Sequence, residues 1–156
     1  MQLLLFSLDG ERIAVPVDVV VESVRAVAVT PLPKAPGVVE GVIDLRGAVV
    51  PVFDMRLRFR RASRAVSPAD HFVIVHAGAR LAALHVDQVL DLIEVDDAAV
   101  ATLDGRVRAE HVAGVATLAD GLALIHDVAT FLTRAEAETL DAALDRTGER
   151  APNVAR

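Results

Sequence analysis

One nineteen-residue unit occurs twice in this chain, and that repeat limits what the chain can fold into. Gly41 to Phe59 reads GVIDLRGAVVPVFDMRLRF, and Gly114 to Leu132 reads GVATLADGLALIHDVATFL. A gapless overlay at an offset of 73 pairs Gly41 with Gly114, Val42 with Val115, Leu45 with Leu118 and Asp54 with Asp127. Upstream, Gly10-x-Arg12-Ile13-Ala14 echoes Gly78-x-Arg80-Leu81-Ala82 at an offset of 68. Val17-Asp18-x-Val20-Val21 echoes Val86-Asp87-x-Val89-Leu90 at 69. An offset that grows along the chain is what a duplicated unit leaves once its copies have gained loop residues. Two copies this long are too few for a solenoid, whose periods run at about 20–50 residues. The repeat therefore predicts a single domain over residues 1–148, built from two related β subdomains with copies at about 3–59 and 71–132. Residues 149–156 are expected to form a frayed tail. The abundance of Val, Ala and Leu leaves chance similarity as the competing explanation.

The rest of the chain is also strand-like. Gln2 to Leu8 and Arg12 to Val17 flank Asp9-Gly10, a preferred hairpin dipeptide. Val20 to Val29 is rich in β-branched residues, and Asp18 is placed to cap the turn before it. Pro31-x-Pro33-x-x-Pro36-Gly37 is an extended loop stiffened by fixed φ angles. In the repeated unit, Val42-Ile43 and Val49 to Phe53 read as strands around a turn that ends on Gly47, which supplies permissive backbone. Pro51 argues for a bulge or an edge strand. His71 to His76 and Arg80 to His85 form a second hairpin, and Leu90 to Val95 runs on as a strand. Asp54, Asp87 and Asp127 are expected at caps, and Gly47 and Gly114 at structural turns. Arg60 to Ala69 reads as a linker between the copies, and with Arg56 and Arg58 it makes a basic cluster expected to be a solvated loop. Asp96 to Glu110 reads as a polar loop. Thr133-x-x-Glu136 is a capping box. It opens a C-terminal helix with Leu140 and Leu144 on one face and Gly148 as a stop.

Charge is uneven. Residues 1–66 carry nine basic and seven acidic side chains, a formal +2, whereas residues 67–156 carry seven and fifteen, a formal −8. An acidic half is unsuited to phosphate backbone. With five Phe and no Tyr or Trp, stacking platforms for bases are scarce as well. No nucleic-acid partner is expected. Apolar runs stay far below the ~18 residues of a membrane helix, so no direct membrane insertion and no secretory leader are expected. Zero cysteine removes disulfides and thiolate chemistry and is compatible with a cytoplasmic protein.

No catalytic constellation emerges. The five histidines, at 71, 76, 85, 111 and 126, show no metal-helix spacing, so structural roles and no metal are expected. Asp54 and Asp127 are better explained as repeated caps than as paired acids. No serine sits in a nucleophile-elbow setting.

Val39-Glu40-Gly41-Val42-Ile43-Asp44-Leu45-Arg46-Gly47, followed by Val50-Pro51-Val52-Phe53-Asp54-Met55-Arg56, resembles the hallmark segment of the CheW family. That segment usually reads Gly-Val-x-Asn-Leu-Arg-Gly, then Val-Pro-Val-x-Asp-Leu-Arg. The proline loop, the Val86-Asp87-x-Val89 element and the Gly114 to Leu132 segment resemble the family in order and spacing, so the likeness covers about residues 3 to 145. It implies a mainly β fold of two five-stranded SH3-like barrels packed around a shared core, with a short C-terminal helix. It further implies a stand-alone adaptor with no enzymatic activity and no cofactor. Such an adaptor joins the regulatory domain of a CheA-type histidine kinase to the cytoplasmic tips of methyl-accepting chemoreceptors in receptor arrays. A scaffold for a non-flagellar pathway, serving pilus motility or gene regulation, is the alternative. Carried over residue by residue, Glu22 and Arg46 are expected to pair at a receptor-facing groove. Val20 falls on an apolar groove position, and Gly41 on a glycine needed for close backbone approach. Alternatively, Arg46 only ties down its own turn. Asp44 departs from the usual Asn and adds a charge beside Arg46.

Overall fold

Most strands here are apolar on both faces, and such strands require a layer on each side. The computed structural model describes residues 1–102, 111–130 and 132–150. The strands are β1 (Gln2–Leu8), β2 (Glu11–Pro16), β3 (Val20–Arg25), β4 (Val39–Leu45), β5 (Ala48–Asp54), β6 (His71–Ala77), β7 (Arg80–Val86), β8 (Gln88–Glu94), β9 (Val100–Thr102), β10 (Val112–Leu118) and β11 (Gly121–His126). Helix α1 is the single turn Met55–Arg58, and α2 spans Arg134–Arg150.

The strands form two sheets, with orders β8-β1-β2-β11-β10-β9 and β3-β6-β7-β5-β4. The sequence copies and the sheets do not coincide. The first hairpin, β1–β2, sits among the later strands, and the hairpin β6–β7 sits among the earlier ones. Pairing registers recur at the sequence offsets. Glu22 faces Ile74 while Asp91 faces Leu5, and Val52 faces Ala83 while Ile125 faces Ala14. Thr30 bridges Val42, and Ala101 of β9 faces Val115. The six-stranded sheet thus exceeds the expected five by the short β9, within a segment that reads as polar loop in the sequence.

Alternation explains the layering. Phe72 and Ile74 point into a core inside the five-stranded sheet, while Val73 and Val75 point into a core shared by both sheets. Leu3 and Leu5 fill a core inside the six-stranded sheet, and Phe6 and Leu8 turn to the shared one. Leu140 and Ala143 of α2 seal that shared core. The helix begins as its capping box dictates. Glu136 N–H donates to Thr133 Oγ1 at 3.1 Å, and Thr133 N–H donates to Glu136 Oε1 at 2.9 Å.

Several sequence expectations are corrected here. Pro51 lies in β5, an interior strand between β7 and β4. It is tolerated because the parallel ladder to β7 begins one residue later, at Val52, so no bond is asked of the missing N–H. Gly114 lies inside β10 at an irregularity of its pairing with β11, not in a turn. Asp18 sits within the turn Val17–Val19 and makes no cap bond. The helix α2 runs past Gly148 to Arg150, so the tail does not begin at 149; residues 151–156 and Phe131 lie outside the described residues. Asp54 Oδ1 accepts the Leu57 N–H at 3.1 Å, and Asp127 Oδ1 accepts the Ala129 N–H at 3.1 Å.

His126 sets an acid limit on this fold. It is buried, packs edge-on against Phe59 with ring centroids 5.4 Å apart, and donates from Nδ1 to the His111 carbonyl at 2.9 Å. Burial pushes its pKa down to about 4. The folded state therefore holds it neutral while the unfolded chain protonates near ~6.5. Its contribution is present above that value and is lost as pH falls toward 4. Urea titrations should show about 2 kcal/mol of His126-dependent stability lost between pH 7 and pH 5. In His126→Gln that part of the slope should vanish.

Candidate functional site

The hallmark turn is a two-residue hairpin loop. Leu45 pairs with Ala48, and the residues between them, Arg46 and Gly47, have φ of 48° and 89°. Two positive φ angles match the twist of the flanking strands. Asp44 Oδ1 accepts the Gly47 N–H at 2.7 Å. One oxygen of the Asp44 carboxylate thus holds the turn, an acceptor that an Asn side chain would supply equally.

This loop projects Arg46 toward the opposite margin of the same sheet. Arg46 Nη1 donates to Glu22 Oε1 at 3.2 Å, and Nη2 donates to Oε2, a two-pronged contact. β3 and β4 are the two outer strands of the sheet, so the pair spans the gap between them. The hydrogen bond from Arg46 holds the Glu22 carboxyl below its usual range. The Arg46 side chain is 69% exposed and that of Glu22 27%. An ion pair this exposed adds little to stability, yet it presents an oriented guanidinium to solvent.

Gly41 closes the same gap from behind. A Cβ there would lie 2.2 Å from the Thr30 carbonyl oxygen and 2.8 Å from Val29 Cγ1, and φ is +153°. The backbone that approaches Gly41 is the chain's own. Thr30 N–H donates to Val42 O at 2.9 Å, and Val42 N–H donates to Thr30 O at 2.8 Å. Val20 is half-buried and packs on the shared core, whereas Val21 beside it is exposed. Val49, on the strand leaving the hallmark turn, is exposed as well.

Behind this margin lies a charged network that sequence reasoning missed. His85 bonds Glu40 Oε2 from Nδ1 at 2.7 Å and Asp70 Oδ2 from Nε2 at 2.6 Å. With a carboxylate on each nitrogen, the ring satisfies both only as imidazolium. Burial opposes that charge, but the bonds to Glu40 and Asp70 outweigh it and raise the His85 pKa. Arg64 clamps both oxygens of Asp70, at 2.7 and 2.8 Å.

The basic linker is a largely exposed loop, as expected, but the arginines of the cluster are paired. Arg56 bonds both oxygens of Asp87 at 2.8 and 2.9 Å, and Arg58 bonds both oxygens of Glu136 at 2.9 and 3.0 Å. Arg61 pairs with Asp9 and Glu11. Asp87 is correspondingly no cap. It accepts the Asp9 N–H at 2.8 Å and meets Arg56 and Arg64, which ties the β1–β2 turn to the linker. Its signal in the sequence was only its place in the repeat, because each partner is distant along the chain.

The model of the CheW-like domain matches residues 2–136. Protein FrzA of Myxococcus xanthus is 34% identical over 112 residues, 70% of each chain. The chemotaxis protein CheW of Rhizobium meliloti is 36% identical over 98 residues, 62% of each chain. The crystal structure of the scaffolding protein TtCheW from Thermoanaerobacter tengcongensis superposes with a TM-score of 0.77 at 28% identity, covering 86% of this chain and 89% of that one. No helix among the described residues is long and apolar enough to cross a membrane. A CheW-like domain spanning most of the sequence, on two sheets that match a solved CheW, makes this chain a member of the CheW family.

Proposed function

We propose that this protein is a non-enzymatic adaptor that couples the cytoplasmic tips of chemoreceptors to the regulatory domain of a CheA-type histidine kinase. It acts in the cytoplasm, recruited to receptor arrays, as a single unit that includes all of α2 to Arg150. The observation that carries this reading is the CheW-like domain over residues 2–136 with the exposed Arg46–Glu22 pair at the margin of its five-stranded sheet. The pair offers a partner a fixed guanidinium flanked by exposed Val21 and Val49, the combination of charge and apolar surface found where binding energy concentrates.

Arg46→Ala tests it. The variant should keep its thermal midpoint while losing about tenfold or more in affinity for a receptor cytoplasmic fragment, read by calorimetry, and should fail to bring the kinase under receptor control in reconstituted assemblies. A lowered midpoint with intact coupling would reduce Arg46 to a turn residue. The match to FrzA, a relative that does not carry the chemotaxis protein name, favours a second reading of the output: the same coupling in a non-flagellar pathway. The receptors captured with the protein would identify that pathway.

A further inference from the structure

The linker after α1 carries a pattern that adaptor coupling does not use. Arg60-Arg61-Ala62-Ser63-Arg64 sets two arginines shortly before a serine and a third directly after it. The other serines lack this setting: Ser7 and Ser23 lie within β1 and β3, and Ser67 follows Ala65-Val66. Residues 61–67 have no regular structure, and Ser63 is exposed. A serine kinase takes its substrate as an extended segment and reads the charge pattern around the hydroxyl. The linker can adopt that form at small cost, because the ion pairs of Arg61 with Asp9 and Glu11 are exposed.

The hydroxyl also sits where a phosphate would have consequences. Ser63 Oγ donates to Asp54 Oδ2 at 2.6 Å, while Oδ1 of the same carboxylate caps α1. Arg64, the next residue, clamps both oxygens of Asp70 and meets Asp87 Oδ1 at 2.9 Å. A phosphoryl group adds about −1.5 to −2 charge and removes the hydroxyl proton. Such a group has nothing to donate to Asp54 and is repelled by it, so it must leave the cap. Arginine holds phosphate through two parallel bonds, and the adjoining Arg64 side chain is 37% exposed. Drawn to the phosphate, Arg64 leaves Asp70 to His85 and the Ser67 N–H. Asp87 still keeps Arg56.

We propose that Ser63 is a phosphorylation site for a serine kinase that selects arginines before its target, and that the phosphate pulls Arg64 out of the Asp70 network. In the transfer, the Ser63 hydroxyl proton passes to a base of the kinase. An Oγ–P bond forms to the γ-phosphorus of a nucleoside triphosphate, its bond to the β–γ bridging oxygen breaks, and the nucleoside diphosphate leaves. The consequence reaches the candidate site, because the Asp70 carbonyl accepts the Ala26 N–H at 2.9 Å at the start of the segment that leads to Thr30. This inference is independent of the receptor and kinase coupling proposed above.

The test incubates the full folded chain with magnesium ATP and the catalytic subunit of cyclic-AMP-dependent protein kinase, which takes serine after paired arginines. Mass spectrometry should find one phosphoryl group, on Ser63, absent from Ser63→Ala. Arg60→Ala and Arg61→Ala should each slow its addition by about tenfold. In the modified chain, amide exchange at Ala26 and Ser67 should quicken by about tenfold. Exchange at Asp9, whose N–H donates to the Asp87 carboxylate, should stay unchanged. Modification of another residue, or of a peptide of residues 58–67 but not of the folded chain, would overturn the site. Unchanged exchange at Ala26 and Ser67, or equal quickening in unmodified Ser63→Ala, would overturn the capture of Arg64.

Discussion

Gly41→Ala is expected to destabilise the protein by about 3 kcal/mol or more, although the change adds one methyl group. The new Cβ would lie 2.2 Å from the Thr30 oxygen and 2.8 Å from its carbonyl carbon. Both atoms are backbone, so no rotamer change relieves the clash. Either β4 or the Val29–Thr30 segment must move, and either movement breaks the two hydrogen bonds between Thr30 and Val42. Each is worth about 1 kcal/mol, and an alanine at φ +153° adds backbone strain. Gly37→Ala is the control, since nothing lies within 4 Å of a Cβ at that position. Urea unfolding should separate the two variants, and hydrogen exchange should show faster exchange at Thr30 and Val42 in Gly41→Ala. On the coupling proposed above, receptor binding should weaken as well, because the Thr30 bridge and the Arg46–Glu22 pair join the same two margins of one sheet. Unchanged stability in Gly41→Ala would mean that the segment at residues 29–30 yields freely and is no fixed part of the site.

Where the sequence was legible, a local rule applied. The hairpins at Asp9-Gly10 and after Arg46, the cap at Asp54 and the capping box at Thr133 each rest on residues within three positions of one another. The hallmark segment located Arg46 and Glu22 through the family resemblance, and the fold brings them together across 24 residues. The exchange of hairpins between the sheets was not legible. Phe72-Val73-Ile74-Val75 reads as an apolar run whichever sheet receives it, and periodicity does not name a neighbour. The linker arginines were misjudged for the same reason. Arg58 and Glu136 stand 78 positions apart, so nothing local distinguishes a paired guanidinium from a solvated one. Pro51 misled because the rule against interior proline assumes that a ladder bond is needed at that residue.

Asp70→Ala should cost about 3–5 kcal/mol, the range for breaking a buried charged network by removing one member. The Asp70 side chain is 3% exposed and serves three donors: Arg64, the His85 ring and the Ser67 N–H at 2.9 Å. Arg64 retains Asp87 when Asp70 is lost, but His85, also 3% exposed, keeps Glu40 alone. Its Nε2 proton would be left without an acceptor in an apolar pocket against Phe72. The pH dependence carries the signature. The folded-state pKa of His85 is raised, so its contribution is complete below the ordinary imidazole value of ~6.5 and fades as pH rises through the folded value. Asp70→Ala removes one of the two carboxylates responsible, so this alkaline loss should shrink and move to lower pH. In a double-mutant cycle with His85→Ala, the two costs should fall short of additivity by at least about 1 kcal/mol. Additive costs would instead place Asp70 and Arg64 in a separate unit from the histidine. The effect should also reach the site margin, because the Asp70 carbonyl accepts the Ala26 N–H at 2.9 Å. Ala26 begins the segment that leads to the Thr30 bridge over Gly41, so its exchange protection should fall together with that of Thr30. Loss at Ala26 alone would locate the network's role in the linker instead of the coupling face.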